Sequence, residues 1–243
     1  MNMKKWFQSL TGTLQLVLFL PKCKGCENVL VFEGEKLICR ECREKIAASR
    51  YYDNWKTVCR LCGRWMDHQH DTCGNCILQP PPYRKHLSYS RYEGLLKDLI
   101  LGYKYGNIER LKLVLAEYLG ELFTEKVNEP FDYIVPVPAD TGRKREFHPM
   151  LEVSKILSRR LRIPLMSRQL LKIKKTPPQA GLTRAQRLKN LEGAFILKNP
   201  EKIKEKKLLL IDDVYTTGTT IGTCTRLLVD QKADVVALTL ARS

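Results

Sequence analysis

The hydrophobic positions between residues 95 and 166 follow first a helical and then a mixed pattern. Apolar side chains recur every three or four residues from Leu95 to Tyr103 and again from Leu111 to Phe123, which predicts two amphipathic helices. Tyr133 to Val137 is a short apolar run with prolines at its end, which predicts a buried strand. A further helix is predicted around Ile156, and a further strand from Ile163 to Met166.

The C-terminal segment has the pattern of a βαβ unit. Leu208 to Ile211 is a continuous apolar run, which is typical of a parallel strand buried on both faces. A loop rich in Gly and Thr follows, then a helix through Leu227 and Leu228, and then a final strand from Asp234 to Leu240. Because such units build parallel sheets, we predict an α/β fold with a mostly parallel sheet.

Eight of the nine cysteines form four C-x-x-C pairs ahead of this region. The pairs are Cys23/Cys26, Cys39/Cys42, Cys59/Cys62 and Cys73/Cys76. Two such turns provide the four thiolates of a tetrahedral zinc site, so the pattern predicts a double zinc ribbon with two structural Zn²⁺ ions. Sequential and interleaved pairings both fit the spacing. Disulfides and a redox C-x-x-C motif fit less well, because no secretion signal is evident and the motif occurs four times. The ninth, Cys224, is predicted to lie in the core.

Composition divides the chain near three consecutive prolines. Pro80, Pro81 and Pro82 resemble a linker, so we expect a zinc-ribbon region at 1–82 with a short N-terminal helix, and a second domain at 83–243. The chain has 42 Lys and Arg against 26 Asp and Glu, a net charge of +16. This excess favours a polyanionic partner such as nucleic acid, although a solvated lysine-rich surface is the alternative. The apolar patch at 16–20 is too short for a membrane span, so we expect no membrane insertion and a cytoplasmic location.

A candidate binding site follows the apolar run of the C-terminal strand. Asp212 and Asp213 stand at the carboxyl end of the strand, where open α/β sheets bind ligands. Two adjacent carboxylates can accept hydrogen bonds from ribose hydroxyls, and a nearby Mg²⁺ would offset their repulsion. The four hydroxyls and one glycine that follow suit a 5′-phosphate at a helix N-terminus; they are Thr216, Thr217, Gly218, Thr219 and Thr220. The alternative is an acidic strand end with a threonine-rich helix cap.

The stretch LLLIDDVYTTGTT resembles the signature with which type I phosphoribosyltransferases bind 5-phosphoribosyl-1-pyrophosphate (PRPP). The resemblance implies PRPP together with Mg²⁺ as the ligands of this segment. The purine-salvage members usually carry an Asp two residues before the loop glycine, whereas this chain has Thr216 there. No other segment identifies an acceptor base.

Three further blocks narrow the resemblance. YEGLLKDLILGYKYGN, YIVPVPADTGRKREFH and KTPPQAGLTRAQRLKN occur in this order between the cysteine pairs and the phosphate loop. Together they are similar to the ComF family of late-competence proteins, of the ComFC type. The resemblance implies a zinc ribbon joined to a phosphoribosyltransferase-like domain, a part in natural transformation, and the handling of single-stranded DNA. A DNA-uptake helicase of the ComFA type is the implied protein partner.

The resemblance also implies roles for residues outside the phosphate loop. Val137 lies in the turn where such folds bind pyrophosphate, and Arg143 and Arg145 match the basic run after it. Arg184 and Arg187 belong to a block that resembles a flexible hood over the site, from which they would reach an anion. Three functions stay open: a DNA-handling protein that retains a PRPP site, an active phosphoribosyltransferase with an unidentified acceptor, and a scaffold for the helicase.

Overall fold

The computed structural model of the protein describes residues 21–30, 37–50, 58–66, 71–139, 148–176 and 183–243. The predicted N-terminal helix lies outside these residues. The chain divides into two compact units, Met1–Ala48 and Ser49–Ser243. The second pair of cysteine motifs therefore belongs to the same unit as the sheet. Whether residues 1–82 fold as a domain of their own stays a prediction.

The first unit is a small cysteine knuckle followed by a helix. Lys22 and Val29 form an antiparallel bridge across the first C-x-x-C turn, and helix α1 (Arg40–Ala48) carries the last cysteine of the group. Ile38 and Ile46 are buried beside it. The apolar core formed by the described residues of this unit is small and provides little folding free energy, which is the situation in which a metal ion supplies the rest.

A four-stranded parallel sheet forms the centre of the second unit. Its order is β1-β6-β5-β2, and every neighbouring pair is parallel. The strands are β1 (Lys85–Arg91), β2 (Tyr133–Pro136), β5 (Lys207–Tyr215) and β6 (Asp234–Arg242). The predicted C-terminal βαβ unit and the parallel sheet are thus confirmed.

The predicted helices are present around this sheet. They are α3 (Gly94–Tyr105), α4 (Leu111–Lys126), α5 (Pro149–Leu161) and α7 (Thr219–Val229). Helix α7 packs in one core with Leu208 and Leu210 of β5 and with the second cysteine group. Because strand side chains alternate between faces, Leu209 and Ile211 point to the other side of the sheet.

Several elements differ from the sequence-based expectation. The strand predicted at Ile163–Met166 is a single bridge, between Leu165 and Ile134. A separate antiparallel pair, β3 (Leu170–Lys172) and β4 (Phe195–Leu197), was not predicted, and neither was the short helix α2 (Gly74–Leu78). The segment expected to be a flexible hood contains helix α6 (Arg184–Leu191), and Pro200–Ile203 form a 3₁₀ turn.

Edge strand β1 was missed because its sequence is polar. His86, Ser88 and Ser90 are all buried in it. Ser88 and His86 share hydrogen bonds with the Thr239 hydroxyl of β6, at 2.7 Å from Ser88 Oγ and 3.0 Å from His86 Nε2. A buried polar strand is stable when its side chains have such hydrogen-bond partners. Its sequence lacks the apolar periodicity from which a buried strand is predicted. Among the helices described, none combines the length and apolar composition needed to cross a bilayer.

Candidate functional site

The two acidic residues and the threonine loop come together at the carboxyl end of β5. Asp212 and Asp213 are the sixth and seventh residues of the strand, and both are partly buried. Strand β2 ends beside them, where the Val137 amide donates to the Ile211 carbonyl at 2.8 Å. The Val137 amide therefore holds the neighbouring turn against β5 through this hydrogen bond, and the Val137 side chain is buried.

A lysine that the sequence analysis did not single out pairs with one of the acids. Lys104 Nζ, near the end of α3, lies 2.7 Å from Asp213 Oδ2. Burial opposes the charge of Lys104, but the attraction of Asp213 outweighs it and raises the lysine pKa. Lys104 lies in the block YEGLLKDLILGYKYGN, and this position within a family-like block was the signal that could have identified it.

The other acid has an unusual protonation equilibrium. Burial, together with repulsion from Asp213, raises the pKa of Asp212 to about 8. At neutral pH Asp212 therefore favours its protonated form, and the cation that Lys104 provides lies beside Asp213. A cation or a hydroxyl-rich ligand that enters would favour the ionised form of Asp212.

The loop after the acids has room only for glycine at its turn. Gly218 has φ +73° and begins α7, and a Cβ at this position would collide with the ring of Tyr215. The Thr217 and Thr219 hydroxyls lie 2.8 Å apart at the start of the helix. Hydroxyls and free amides at a helix N-terminus form a concave site for an anion.

The hood helix reaches this loop. Arg187 of α6 donates from Nη1 to the Thr216 hydroxyl. A capping box holds the start of α6, in which the Gln186 amide donates to the Thr183 hydroxyl and the Thr183 amide donates to the Gln186 side chain. The side chain of Arg184 lies outside the described part of the structure, as do Arg143 and Arg145, so their predicted anion contacts stay predictions.

The eight paired cysteines form two groups of four with sequential pairing. The groups are Cys23, Cys26, Cys39, Cys42 and Cys59, Cys62, Cys73, Cys76, and within each the sulfur atoms lie within 4.8 Å of one another. Each group could hold a structural zinc ion. Cys224 is buried in α7, as predicted.

Both groups have the same local geometry. The Cys39 amide donates to Cys23 Sγ at 3.2 Å, and the Cys73 amide donates to Cys59 Sγ at 3.3 Å. Amides that point at sulfur stabilise thiolates, the form that binds metal. In the second group the hydrogen bond from Cys62, together with these amides, lowers the pKa of Cys59 to about 4.

The second group is also connected to the sheet. The Cys62 carbonyl accepts from Arg242 Nη1 at 2.7 Å and from His86 Nδ1 at 3.0 Å. The His86 backbone amide donates to Leu61 at 2.9 Å, so the knuckle continues the hydrogen bonding of edge strand β1. Burial lowers the pKa of His86 to about 3, which keeps the imidazole neutral.

Tyr215 connects the cysteine group to the phosphate loop. Its hydroxyl lies 2.8 Å from that of Tyr83, its ring stacks on His86 at 4.1 Å between centroids, and the Arg242 guanidinium lies 4.4 Å from its ring centroid. The same ring lies beneath Gly218. The sequence does not show these contacts, because Tyr83 and His86 lie more than 100 residues from Tyr215 and Arg242 comes from the following strand, β6.

The chain matches no protein-family model, but it has curated relatives of similar length. It is 31% identical over 188 residues to the DNA utilization protein YhgH of Escherichia coli, covering 74% of this chain and 82% of that protein. It is 30% identical over 215 residues to competence protein F of Haemophilus influenzae, covering 85% and 90%. Competence protein ComFC of Bacillus subtilis is 25% identical over 226 residues, covering 88% of each chain.

Solved phosphoribosyltransferase structures are more distant. An orotate phosphoribosyltransferase from Aeropyrum pernix aligns with a TM-score of 0.35 at 18% identity, covering 62% of this chain and 66% of that chain. An adenine phosphoribosyltransferase from Leishmania tarentolae aligns with a TM-score of 0.39 at 14% identity, covering 69% and 81%. The curated relatives at 31% and 30% identity, each aligned over most of its length, establish that this chain belongs to the ComF family of competence and DNA-utilization proteins.

Proposed function

We propose that this protein binds PRPP with Mg²⁺ at the end of β5, binds single-stranded DNA, and uses both in handling DNA taken up during natural transformation. The carboxylate pair at the phosphate loop is the observation that carries the first part. The relatives named for competence and DNA utilization and the net charge of +16 support the second.

The arrangement suits a phosphorylated ribose in three respects. Asp212 and Asp213 would accept hydrogen bonds from two vicinal hydroxyls, because adjacent residues at a strand end project toward the same ligand edge. The Thr217 and Thr219 hydroxyls, with the first amides of α7, would hold the 5′-phosphate. Lys104 supplies one positive charge to the acid pair, and Mg²⁺, a cation that prefers carboxylate and phosphate oxygens, would supply more.

Isothermal titration calorimetry with PRPP and MgCl₂ tests this site directly. The wild-type protein is expected to bind in the presence of Mg²⁺, and the Asp212→Asn/Asp213→Asn variant is expected not to bind measurably. The variant Asp98→Asn/Asp230→Asn replaces the same number of carboxyl groups at exposed positions and should bind like the wild type. Equal binding by all three proteins, or none by the wild type, would contradict the proposal.

The protonation of Asp212 gives a second readout of the same site. A ligand that requires an ionised Asp212, whose pKa in the free protein is about 8, must displace a proton when it binds at pH 7. The affinity should therefore rise between pH 6.5 and 8.5, and the heat of binding at pH 7 should depend on the ionisation enthalpy of the buffer. Binding without proton exchange would show that Asp212 does not change its protonation when the ligand binds.

The DNA-binding part is tested with a fluorescent single-stranded oligonucleotide. Binding should weaken steeply as salt increases, since cationic side chains replace the counterions of the phosphates. The double Asp variant should bind the strand at least as well as the wild type, because it removes negative charge. If the strand does not bind even at low salt, the DNA-handling function is rejected.

The helicase partner remains a proposal from the family resemblance. A pull-down with a ComFA-type helicase that survives nuclease treatment would support a direct protein contact. Loss of the helicase after nuclease would instead indicate that DNA bridges the two proteins.

A further inference from the structure

A cavity separates the second cysteine group from the phosphate loop. Its volume is about 730 Å³, and both the second knuckle and the first turns of α7 line it. We call it the ribbon–loop cavity. On the knuckle side its wall includes Arg64 and Trp65, and on the loop side Thr217, Thr219 and Arg226. A volume of this size suits a small organic ligand.

The charges of this cavity favour an anion. Three arginines line it, namely Arg64, Arg226 and Arg242, together with three cysteines of the second group, and no carboxylate side chain is among its described lining residues. Arg64 and Arg226 are exposed, whereas Arg242 is buried and donates to the Cys62 carbonyl. The two exposed guanidiniums are therefore the groups that can turn toward a bound phosphate.

An aromatic side chain supplies the second element of a nucleotide site. Trp65 is 37% exposed although it is a large apolar residue. The Arg91 guanidinium lies over its ring at 5.1 Å from the centroid, and a bridge between Trp65 and Val58 fixes the backbone. Nucleic-acid bases stack on aromatic side chains that line a positively charged groove, and the indole of Trp65 has this position in the cavity. The corresponding position of the first knuckle is Val29.

The phosphate loop is shared between this cavity and the acid pair. Thr216, Thr217 and Thr219 line the cavity, but neither Asp212 nor Asp213 does. A base bound against Trp65 therefore lies apart from the carboxylates that would hold the ribose of PRPP. This separation favours a nucleotide of a DNA strand over the acceptor base of a transfer reaction.

We propose that the ribbon–loop cavity binds one nucleotide of single-stranded DNA, with the base on Trp65 and a phosphate on the Thr217 and Thr219 hydroxyls beside Arg226. The proposal rests on the DNA binding put forward above and identifies where it occurs. Because the strand and PRPP would use the same hydroxyls for a phosphate, they exclude each other at this site.

Fluorescence anisotropy with a labelled oligothymidylate tests the site. Trp65→Ala should weaken binding by about tenfold, the usual cost of losing one stacked base, while Trp65→Phe should restore most of it. Arg226→Ala should weaken binding and lower the slope of log K against log salt by about 0.7, as for one phosphate contact on a single strand. The matched control is Arg159→Ala, which removes an exposed cation from α5 and should change binding by less than about twofold.

Competition tests the shared phosphate position. PRPP with MgCl₂ should displace the oligonucleotide from the wild-type protein, and it should fail to do so in the Asp212→Asn/Asp213→Asn variant, which is expected not to hold PRPP. Simultaneous binding of both ligands to the wild type would overturn the shared position.

The remaining outcomes separate this proposal from the function on which it rests. If the wild type binds the strand but Trp65→Ala and Arg226→Ala behave like Arg159→Ala, DNA binds elsewhere; the cavity assignment is then wrong and the DNA-handling function stands. If the wild type does not bind the strand, both fail. Displacement of the strand by free bases without PRPP would instead assign the cavity to a transfer acceptor and overturn the proposal.

Discussion

The two cysteine groups have almost the same local structure but very different surroundings. In each, a C-x-x-C turn closes with a 2.8 Å bond from the first cysteine amide, Cys23 to Asn28 and Cys59 to Arg64. All four sulfur-bearing residues of the second group are buried, whereas Cys26 of the first is exposed. The difference teaches that a repeated motif can belong to a small unit in one copy and to the core of a larger unit in the other.

The surroundings decide what each metal ion would stabilise. Apart from cysteines, the buried apolar side chains in the described part of the first unit are Leu30, Ile38 and Ile46, so its metal should mainly stabilise that unit. The second group shares a core with β5 and α7, and its Cys62 carbonyl accepts two hydrogen bonds from the sheet. Loss of the second metal should therefore also disturb the phosphate loop, because Arg242 and Tyr215 connect this cysteine group to Gly218.

The largest expected effect comes from removing one ligand of each group in turn. Cys62→Ser should lower the melting temperature of the second unit by roughly 10 °C, as a loss of at least about 4 kcal/mol does in a domain of this size. Cys26→Ser should leave that transition unchanged. Far-UV circular dichroism on heating measures the transition, and atomic absorption should find one zinc fewer in each variant.

Equal loss of stability in the two cysteine variants would contradict this comparison. It would mean that the first unit supports the fold of the second. A variant that keeps both zinc ions would show that the substituted cysteine is not a ligand.

A smaller effect is expected from the sheet residue that holds the second group. Arg242→Met should cost about 2–3 kcal/mol, because it leaves the buried Cys62 carbonyl without a charged donor and removes the contact with the Tyr215 ring. Urea unfolding of the second unit measures this change. The control is Arg43→Met, which removes the Arg43 donor to the Ile38 carbonyl of the first unit; it should leave the urea midpoint of the second unit where it is.

The contact between His86 and the second cysteine group should make the stability of the second unit depend on pH, by about 1 kcal/mol. His86 has a pKa of about 3 in the folded protein and an ordinary value near 6.5 when unfolded. Because the folded pKa is depressed, protonation favours the unfolded state, and stability falls as the pH decreases below 6.5. Between pH 7 and 5.5 the wild type should lose about 1 kcal/mol more than His86→Gln, measured by urea unfolding at both values. Parallel curves would show that His86 is not buried as a neutral ring.

The smallest effect is expected from gentle removal of metal. A chelator with a colorimetric zinc readout should extract the first zinc in a fast phase, since Cys26 is exposed, and the second in a slow phase. After the fast phase the melting temperature of the second unit should change by less than about 1 °C. The fast phase should be missing from Cys26→Ser. A single phase in the wild type would show that burial does not protect the second site.

Local patterns carried most of what could be predicted. Each of these signals is local, since the residues of a single C-x-x-C pair are neighbours, and so are those of the apolar run Leu208 to Ile211 and of the acids and threonines after it. Strand pairing, by contrast, depends on contacts between distant residues: the polar strand β1 is held by the Thr239 hydroxyl of β6, and the short strands β3 and β4 pair with each other, so all three were missed. The strand expected at Ile163–Met166 is a single bridge, because the Pro164 carbonyl and the Met166 amide both bond to the same residue of β2, Ile134.

The sequence by itself determined the ligand-bearing pieces of this protein: two sets of thiols, a parallel strand that ends in two carboxylates, and a glycine turn that leads into a helix. Only the tertiary structure decided which pieces meet. It paired Lys104 with Asp213 across more than 100 residues, put Tyr215 beneath Gly218, and joined the second cysteine group to the sheet. Short-range geometry is encoded in neighbouring residues, whereas burial and charge pairing depend on how the whole chain packs.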